Sequence, residues 1–242
     1  ALFGLASSLE GYVYQVANAL GNMFMPKVSK LVSHKGKSAE LQNLVEKVGR
    51  IQVFIIGLLF VGFISVGRLF IECWVGSSYS ALYFCVILLI FPSLLELPQL
   101  VANTAVSAIG AMKQKAFAYL AMAFVNLVLG VVLSKAYGAF GASISICIAY
   151  FVRTLGMDVL YYRIIKLNIA RLFKRLYGNW IVPAAVTYFV SAAVLRYSSL
   201  SGWRGLVVSA LVVGFLYSIL MWQFYLNAEE RTLLMGSIKG RR

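Results

Sequence analysis

The sequence predicts an all-α, polytopic membrane protein with seven transmembrane helices, on three observations. The first is composition: 61% of the residues are hydrophobic and 12% charged, with a mean hydropathy of +0.85, whereas soluble domains hold about 45–50% apolar residues. The second is length of run. Apolar stretches of about 18 residues or more, enough to cross the hydrocarbon layer, recur along the whole chain. The third is the placement of the 22 Lys and Arg. Four (Arg68, Lys135, Arg196 and Arg204) fall in alternate segments, Arg153 lies inside a span, and all the others crowd the remaining segments. This positive-inside bias puts the N-terminus outside and the C-terminus in the cytoplasm. The net charge of +14 therefore reports topology, and no nucleic-acid partner is expected.

Residues 1–25 form the first expected span, ended by Pro26. The opening ALFGLASSLEGYVYQV has neither a starting Met nor a charged n-region, so it does not read as a signal peptide, and it predicts further chain upstream. Glu10, Tyr14 and Asn18 follow at i, i+4 and i+8 and share one face. From 27 to 50 the chain is basic: Lys27, Lys30, Lys35, Lys37, Lys47 and Arg50 stand against Glu40 and Glu46. Ser38 is an expected N-cap, and Leu41, Leu44, Val45 and Val48 keep helical spacing, which predicts a short amphipathic helix on the membrane surface. His34, just before it, is expected to be solvated. A span over 51–66 ends at Arg68, Glu72 and the interfacial Trp74.

The stretch 81–115 is unusual because Pro92, Glu96 and Pro98 sit near the middle of an apolar run. A mid-span carboxylate costs about 2.5–3.5 kcal/mol on insertion scales, and each proline frees a carbonyl that must find another partner. Glu96, Gln99, Asn103 and Ser107 fall on one stripe. Two readings fit: the wall of a polar pathway, or a kinked helix whose polar groups fasten neighbouring helices. After the basic turn at Lys113 and Lys115, residues 116–133 span outward with one polar interruption, Asn126, expected to bond across helices. An external loop, AYGAFG, leads into 142–162, which carries Ser143, Ser145, Arg153 and Asp158.

Arg153 lies too deep to snorkel easily. Such a guanidinium either clamps a phosphate or pairs with a carboxylate, Glu96 or Glu10 being the candidates. Asp158, at i+5, is off its face. In the basic segment 163–179, Ile165, Ile169, Leu172, Phe173 and Leu176 make one apolar face, which predicts a helix in the headgroup plane favouring anionic lipids. The last spans, 180–195 and 205–225, hold little charge and precede a basic tail. The expected organisation is a core of five spans over 1–163, flanked by an interfacial helix, two peripheral spans and the tail over 164–242.

Several chemistries lack their residues. There is no phosphate-binding P-loop, and one His does not build a Ser-His-Asp arrangement. Glu72 is the sole carboxylate in the short external segments, so no enzyme is expected. Cys73, Cys85 and Cys147 suggest free thiols without metal, and no cofactor is expected. A conduit lined by polar stripes remains.

Four patterns, in this order, carry a resemblance: MPKVSKL (25–31), the proline-bearing span with Asn103 and AIGAMKQK (108–115), Asn126, and YGAFGASI (137–144). Together they resemble the C-terminal half of Wzx-like polysaccharide and O-antigen flippases, in the multidrug/oligosaccharidyl-lipid/polysaccharide transporter superfamily. The resemblance implies the C-terminal lobe of a MATE-like fold of about fourteen helices. It implies transfer of an undecaprenyl-pyrophosphate-linked oligosaccharide across the bacterial inner membrane, with a polysaccharide polymerase and a chain-length regulator as partners. Arg153 would meet the cavity's need for positive charge, with Glu10, Glu96 and Asn103 lining it or coupling an ion, beside Tyr14, Asn18 and Gln99. A cation-coupled drug exporter or a peptidoglycan-precursor flippase of the same superfamily is the alternative. The predicted topology has a direct check: Cys73 reacts with an impermeant thiol reagent added from outside, and Cys147 does not.

Overall fold

A computed structural model describes residues 2–22, 24, 26, 28, 30–31, 38–197, 202–227 and 230–231. The backbone there is helical, without a strand among the described residues: α1 Leu2–Asn22, α2 Ser38–Trp74, α3 Ala81–Glu96, α4 Leu100–Ala108, α5 Met112–Ile164, α6 Ile169–Tyr177, α7 Ile181–Tyr197 and α8 Gly202–Phe224, with 3-10 turns at Ser77–Tyr79 and Leu97–Gln99. Among the described residues, four stretches are long and apolar enough to cross a membrane: Ala39–Trp74, Ala81–Ala108, Met112–Ile164 and Gly202–Phe224. His34 lies outside the described residues, as does the side chain of Ser38.

α5 is two helices folded back on each other. Gly138 holds φ 58° and ψ −133°, a left-handed backbone that costs a side-chain-bearing residue strain. Ser145 pairs with Asn126 at 3.1 Å, and a Cβ at Gly156 would sit 3.3 Å from Ala118. These pairings converge on 138, so the arms 112–137 and 139–164 are antiparallel. The expected external loop is thus one tight reversal, and Asn126 makes its expected interhelical bond. The outer side of the first arm is apolar and open: Phe117, Leu120, Phe124 and Leu127 are 66–76% exposed, as on a hydrocarbon-facing surface.

Two expected surface helices prove to be protein-packed. Residues 38–50 are the first turns of the 37-residue α2 and make no separate helix, because nothing in the sequence interrupts the backbone ladder before the span. Leu41, Leu44, Val45 and Val48 are buried against other helices instead of lipid headgroups. α6 likewise inserts Leu172 and Leu176 completely into the protein, and Ile165 is buried too. Asn168 caps α6 at Arg171 N (2.9 Å) and receives the Gln42 side chain on its own N–H (2.8 Å). At the far end the Tyr225 hydroxyl donates to Leu176 O at 3.0 Å.

α2 reaches these partners because residue 49 is glycine: a Cβ there would lie 2.8 Å from the Pro98 carbonyl oxygen and 2.9 Å from Leu176. Its outer half carries α7 and α8. Trp180 donates to Tyr217 (2.9 Å), Tyr217 donates to Phe54 O (3.1 Å), and Ser191 meets Ser65 (2.9 Å).

The expected break in 81–108 is present, and the surrounding side chains supply what it lacks. Pro98 has no N–H for the carbonyl four residues back, that of Leu94, and the Tyr177 hydroxyl of α6 donates to that oxygen at 2.8 Å. Gln99 leaves the helical region (φ −96°, ψ 9°), and its Nε2 donates to Leu95 O at 3.1 Å. Tyr177→Phe therefore strands a buried carbonyl and lowers stability by about 1–3 kcal/mol, read as a shift of the unfolding midpoint in mild detergent, while Gly49→Val, which collides with the same break, costs at least as much.

Candidate functional site

The break puts Glu96 at the C-terminal end of α3, facing the second arm of α5 and the middle of α1. Arg153 donates through Nη2 to Glu96 Oε2 in a close ion pair. Tyr14 of α1 donates to the same oxygen at 2.8 Å and receives a second Arg153 contact at 3.3 Å. Three elements thus meet on one carboxylate oxygen. Arg153 is 7% exposed, and its guanidinium lies over two rings, Tyr150 at 4.5 Å and Tyr119 at 5.3 Å from the centroids. Glu10, one turn before Tyr14, is buried beside Tyr150 and within the field of Arg153.

Glu96, Gln99, Asn103 and Arg153 line one narrow cavity with Tyr119, Thr154, Met157 and Tyr161. It is nearly closed, with about 10 Å³ open to a water-sized sphere, barely room for one water molecule. Around it, buried polar atoms go without a hydrogen-bond partner: Glu10 Oε1, Gln99 Oε1, Asn103 Oδ1, Arg153 Nε and Asp158 Oδ1. These are five of the eight such atoms among the described residues. Tyr150 stands beside Glu10, Tyr119 beside Asn103 and Gln99 beside Asp158, so these polar groups are gathered in one region with part of their bonding capacity unused. The lining can attract anions through Arg153, and hydroxyl or amide donors through the two free amide oxygens of Gln99 and Asn103.

Of the expected pathway residues, the structure brings together Glu10, Tyr14, Glu96, Gln99, Asn103 and Arg153. Asn18 is exposed and stands outside this cluster. Ser107 continues the stripe downward, where Lys115 donates to it at 3.1 Å. Sequence reasoning missed Tyr119 and Tyr150, because aromatic residues in apolar spans carry no signal of facing a cation. Asp158, expected to lie off Arg153's face, does not line the cavity, although its Oδ1 is buried nearby beside Gln99. No group of three His, Cys, Asp or Glu fit for a metal ion occurs among the described residues.

No protein-family model and no curated protein matches the chain. Among solved structures, it is similar in fold to "Lipid II flippase MurJ, inward closed conformation", with a TM-score of 0.63 at 15% identity. The match covers 89% of this chain and 46% of that one, so the chain spans about half its length. The chain therefore shares the all-helical membrane fold of about half of that protein.

The Arg153–Glu96 pair is open to a double-mutant cycle. Arg153→Met alone and Glu96→Leu alone each leave a charge uncompensated and cost a few kcal/mol (about 3–5 for fully buried pairs), whereas the double replacement recovers most of the loss, as measured by thermal unfolding in detergent.

Proposed function

We propose that the chain is half of a transporter that moves a lipid-linked, diphosphate-bearing saccharide precursor across the bacterial inner membrane. The observation that carries this reading is Arg153: a guanidinium held near mid-span, backed by two aromatic rings, with Nε unused, in a narrow cavity lined by the unpaired amide oxygens of Gln99 and Asn103. Keeping it there is expensive, and a phosphate with sugar hydroxyls is the cargo whose donors and acceptors match those atoms. In the present arrangement Glu96 occupies the guanidinium and the cavity is narrow. Loading therefore requires Glu96 to yield Arg153, by moving away or by taking a proton, so that a phosphate oxygen takes the place of the carboxylate oxygen at the guanidinium. The fold supports a rocking lobe and no catalytic constellation, so transport is preferred to an enzyme.

Within this reading, residues 1–163 carry the pathway and 164–242 flank it, with seven crossings and a cytoplasmic C-terminus. The likeness to a lipid II flippase favours a peptidoglycan precursor as cargo. The four sequence patterns favour a surface-polysaccharide intermediate, with a polymerase and a chain-length regulator as partners.

Sidedness of the lipid-linked saccharide in cells depleted of the protein is the test. Complementation with Arg153→Ala leaves the precursor in the inner leaflet at about a tenth or less of wild-type transfer, and Arg153→Lys, a point charge without a planar fork, restores part of it. Unchanged sidedness on depletion rejects the flippase reading; drug export that survives Arg153→Ala would put a drug exporter in its place. Lysis on depletion assigns a peptidoglycan precursor, and viable cells lacking surface glycan assign the polysaccharide.

A further inference from the structure

A second polar basin, of about 1120 Å³, lies at the end of the bundle expected to face the cytoplasm, between the start of α2, α6 and the segment after α8. Its chemistry is unlike that of the mid-span cavity. Arg171, Lys174 and Arg175 follow at i, i+3 and i+4 of α6 and form one exposed face, while Leu172 and Leu176 hold the opposite face in the core. The helix cannot easily turn away, because both ends are tied: Gln42 and Asn168 at the start, Arg50 and Tyr225 on the carbonyls of Arg175 and Leu176 at the end.

Glu46 decides what the arginines can do. It is 2% exposed, and its two oxygens lie 3.0 Å from Arg171 Nε and 3.1 Å from Arg175 Nη1. Gln42 donates to it at 2.8 Å, so the carboxylate is fixed. One anchored carboxylate therefore sets two guanidiniums side by side, each on a half-exposed side chain that lines the basin. The Arg175 contact is one of charge without an aligned hydrogen bond to Oε2, which leaves its donors underused. Lys174 has no ion-pair partner among the described residues.

The geometry points to a phosphate-binding site in this basin, formed by Arg171, Lys174 and Arg175 with Glu46 as the positioning residue, and taking a phosphate or diphosphate group from either an anionic lipid headgroup or a soluble phosphate compound. Paired, planar donors fixed in register suit tetrahedral oxyanions. This site is separate from the Arg153 pathway. Neither readout below requires transport, so the outcome is independent of the flippase reading.

The test uses the full protein that carries this chain. Inorganic pyrophosphate is titrated calorimetrically into the protein in phosphatidylcholine nanodiscs, and phosphatidylglycerol retained through purification is measured by mass spectrometry. Wild type shows pyrophosphate binding, phosphatidylglycerol enrichment, or both, and Arg171→Ala/Arg175→Ala weakens the effect about tenfold or more. Enrichment lost in that variant assigns the lipid source, and pyrophosphate binding without enrichment assigns the soluble one. The sign of the Glu46→Gln effect separates a built site from a merely basic surface. Removing a negative charge strengthens anion binding to a merely basic surface, but here Glu46→Gln weakens it. Arg171→Lys/Arg175→Lys keeps the charge and the fold while losing the fork, and also weakens binding. Loss of neither readout in the double alanine variant, tighter binding by Glu46→Gln, or full binding by the double lysine variant overturns the proposal.

Discussion

The break at Leu97–Gln99 is the constraint on which the rest of the structure depends. Within an apolar bundle no water stands ready for freed backbone groups, so an interrupted helix survives only where other groups meet the oxygens it releases. Two adjacent carbonyls are freed, and they are satisfied differently: that of Leu94 by Tyr177 of α6, that of Leu95 by the side chain of Gln99. The first solution draws α6 into the protein. Once α6 is there, Gly49 must be small, Leu172 and Leu176 must be apolar, and the cations of α6 must turn outward together. The interruption also places Glu96 at a helix end, level with Tyr14 and Arg153. Break, site and basic basin are consequences of one missing N–H.

Arg50 serves as an internal comparison for Arg153, because both are buried to 7% exposure. Arg50 pairs with Glu230 through two nitrogens (2.6 and 3.2 Å), donates to the carbonyls of Arg175 (2.9 Å) and Tyr225, and lies 4.2 Å from the Tyr225 ring centroid. Its donors are consumed, as in a fastener whose charge is repaid by complete coordination. Arg153 has a single carboxylate oxygen, a long contact to a phenol and an idle Nε. If both were structural, both should be fully coordinated. The contrast, more than burial alone, marks Arg153 as a group with an unfilled role.

The sequence made much of this legible, and the reasons for the failures are physical. Apolar runs, alternating basic segments and Pro92 with Pro98 revealed a helical membrane bundle with one broken element, because the bilayer imposes length and charge rules that need no tertiary knowledge. Depth in a span singled out Glu96 and Arg153 for the same reason, and Asn126 found its interhelical partner. What an amphipathic stripe does not encode is the material that covers it. Leu41, Leu44, Val45 and Val48, or Leu172 and Leu176, look alike whether protein or lipid lies opposite, and in both segments protein covers the stripe. The tight reversal at Gly138 was hidden in a run that reads as a loop. Tyr119 and Tyr150 were invisible among many aromatics, and Asn18 shares a helical face with Glu10 without sharing its neighbours.

The unbroken α2 has a mechanical corollary. At about 1.5 Å per residue, its 37 residues reach about 55 Å, well beyond a hydrocarbon layer of about 30 Å. The surplus is the end that holds Glu46 and Arg50, packed against α6, and it runs without a break into Phe54 and Ser65. A push on that end is not absorbed by a flexible joint; it arrives as tilt where α7 and α8 lean on the same rod.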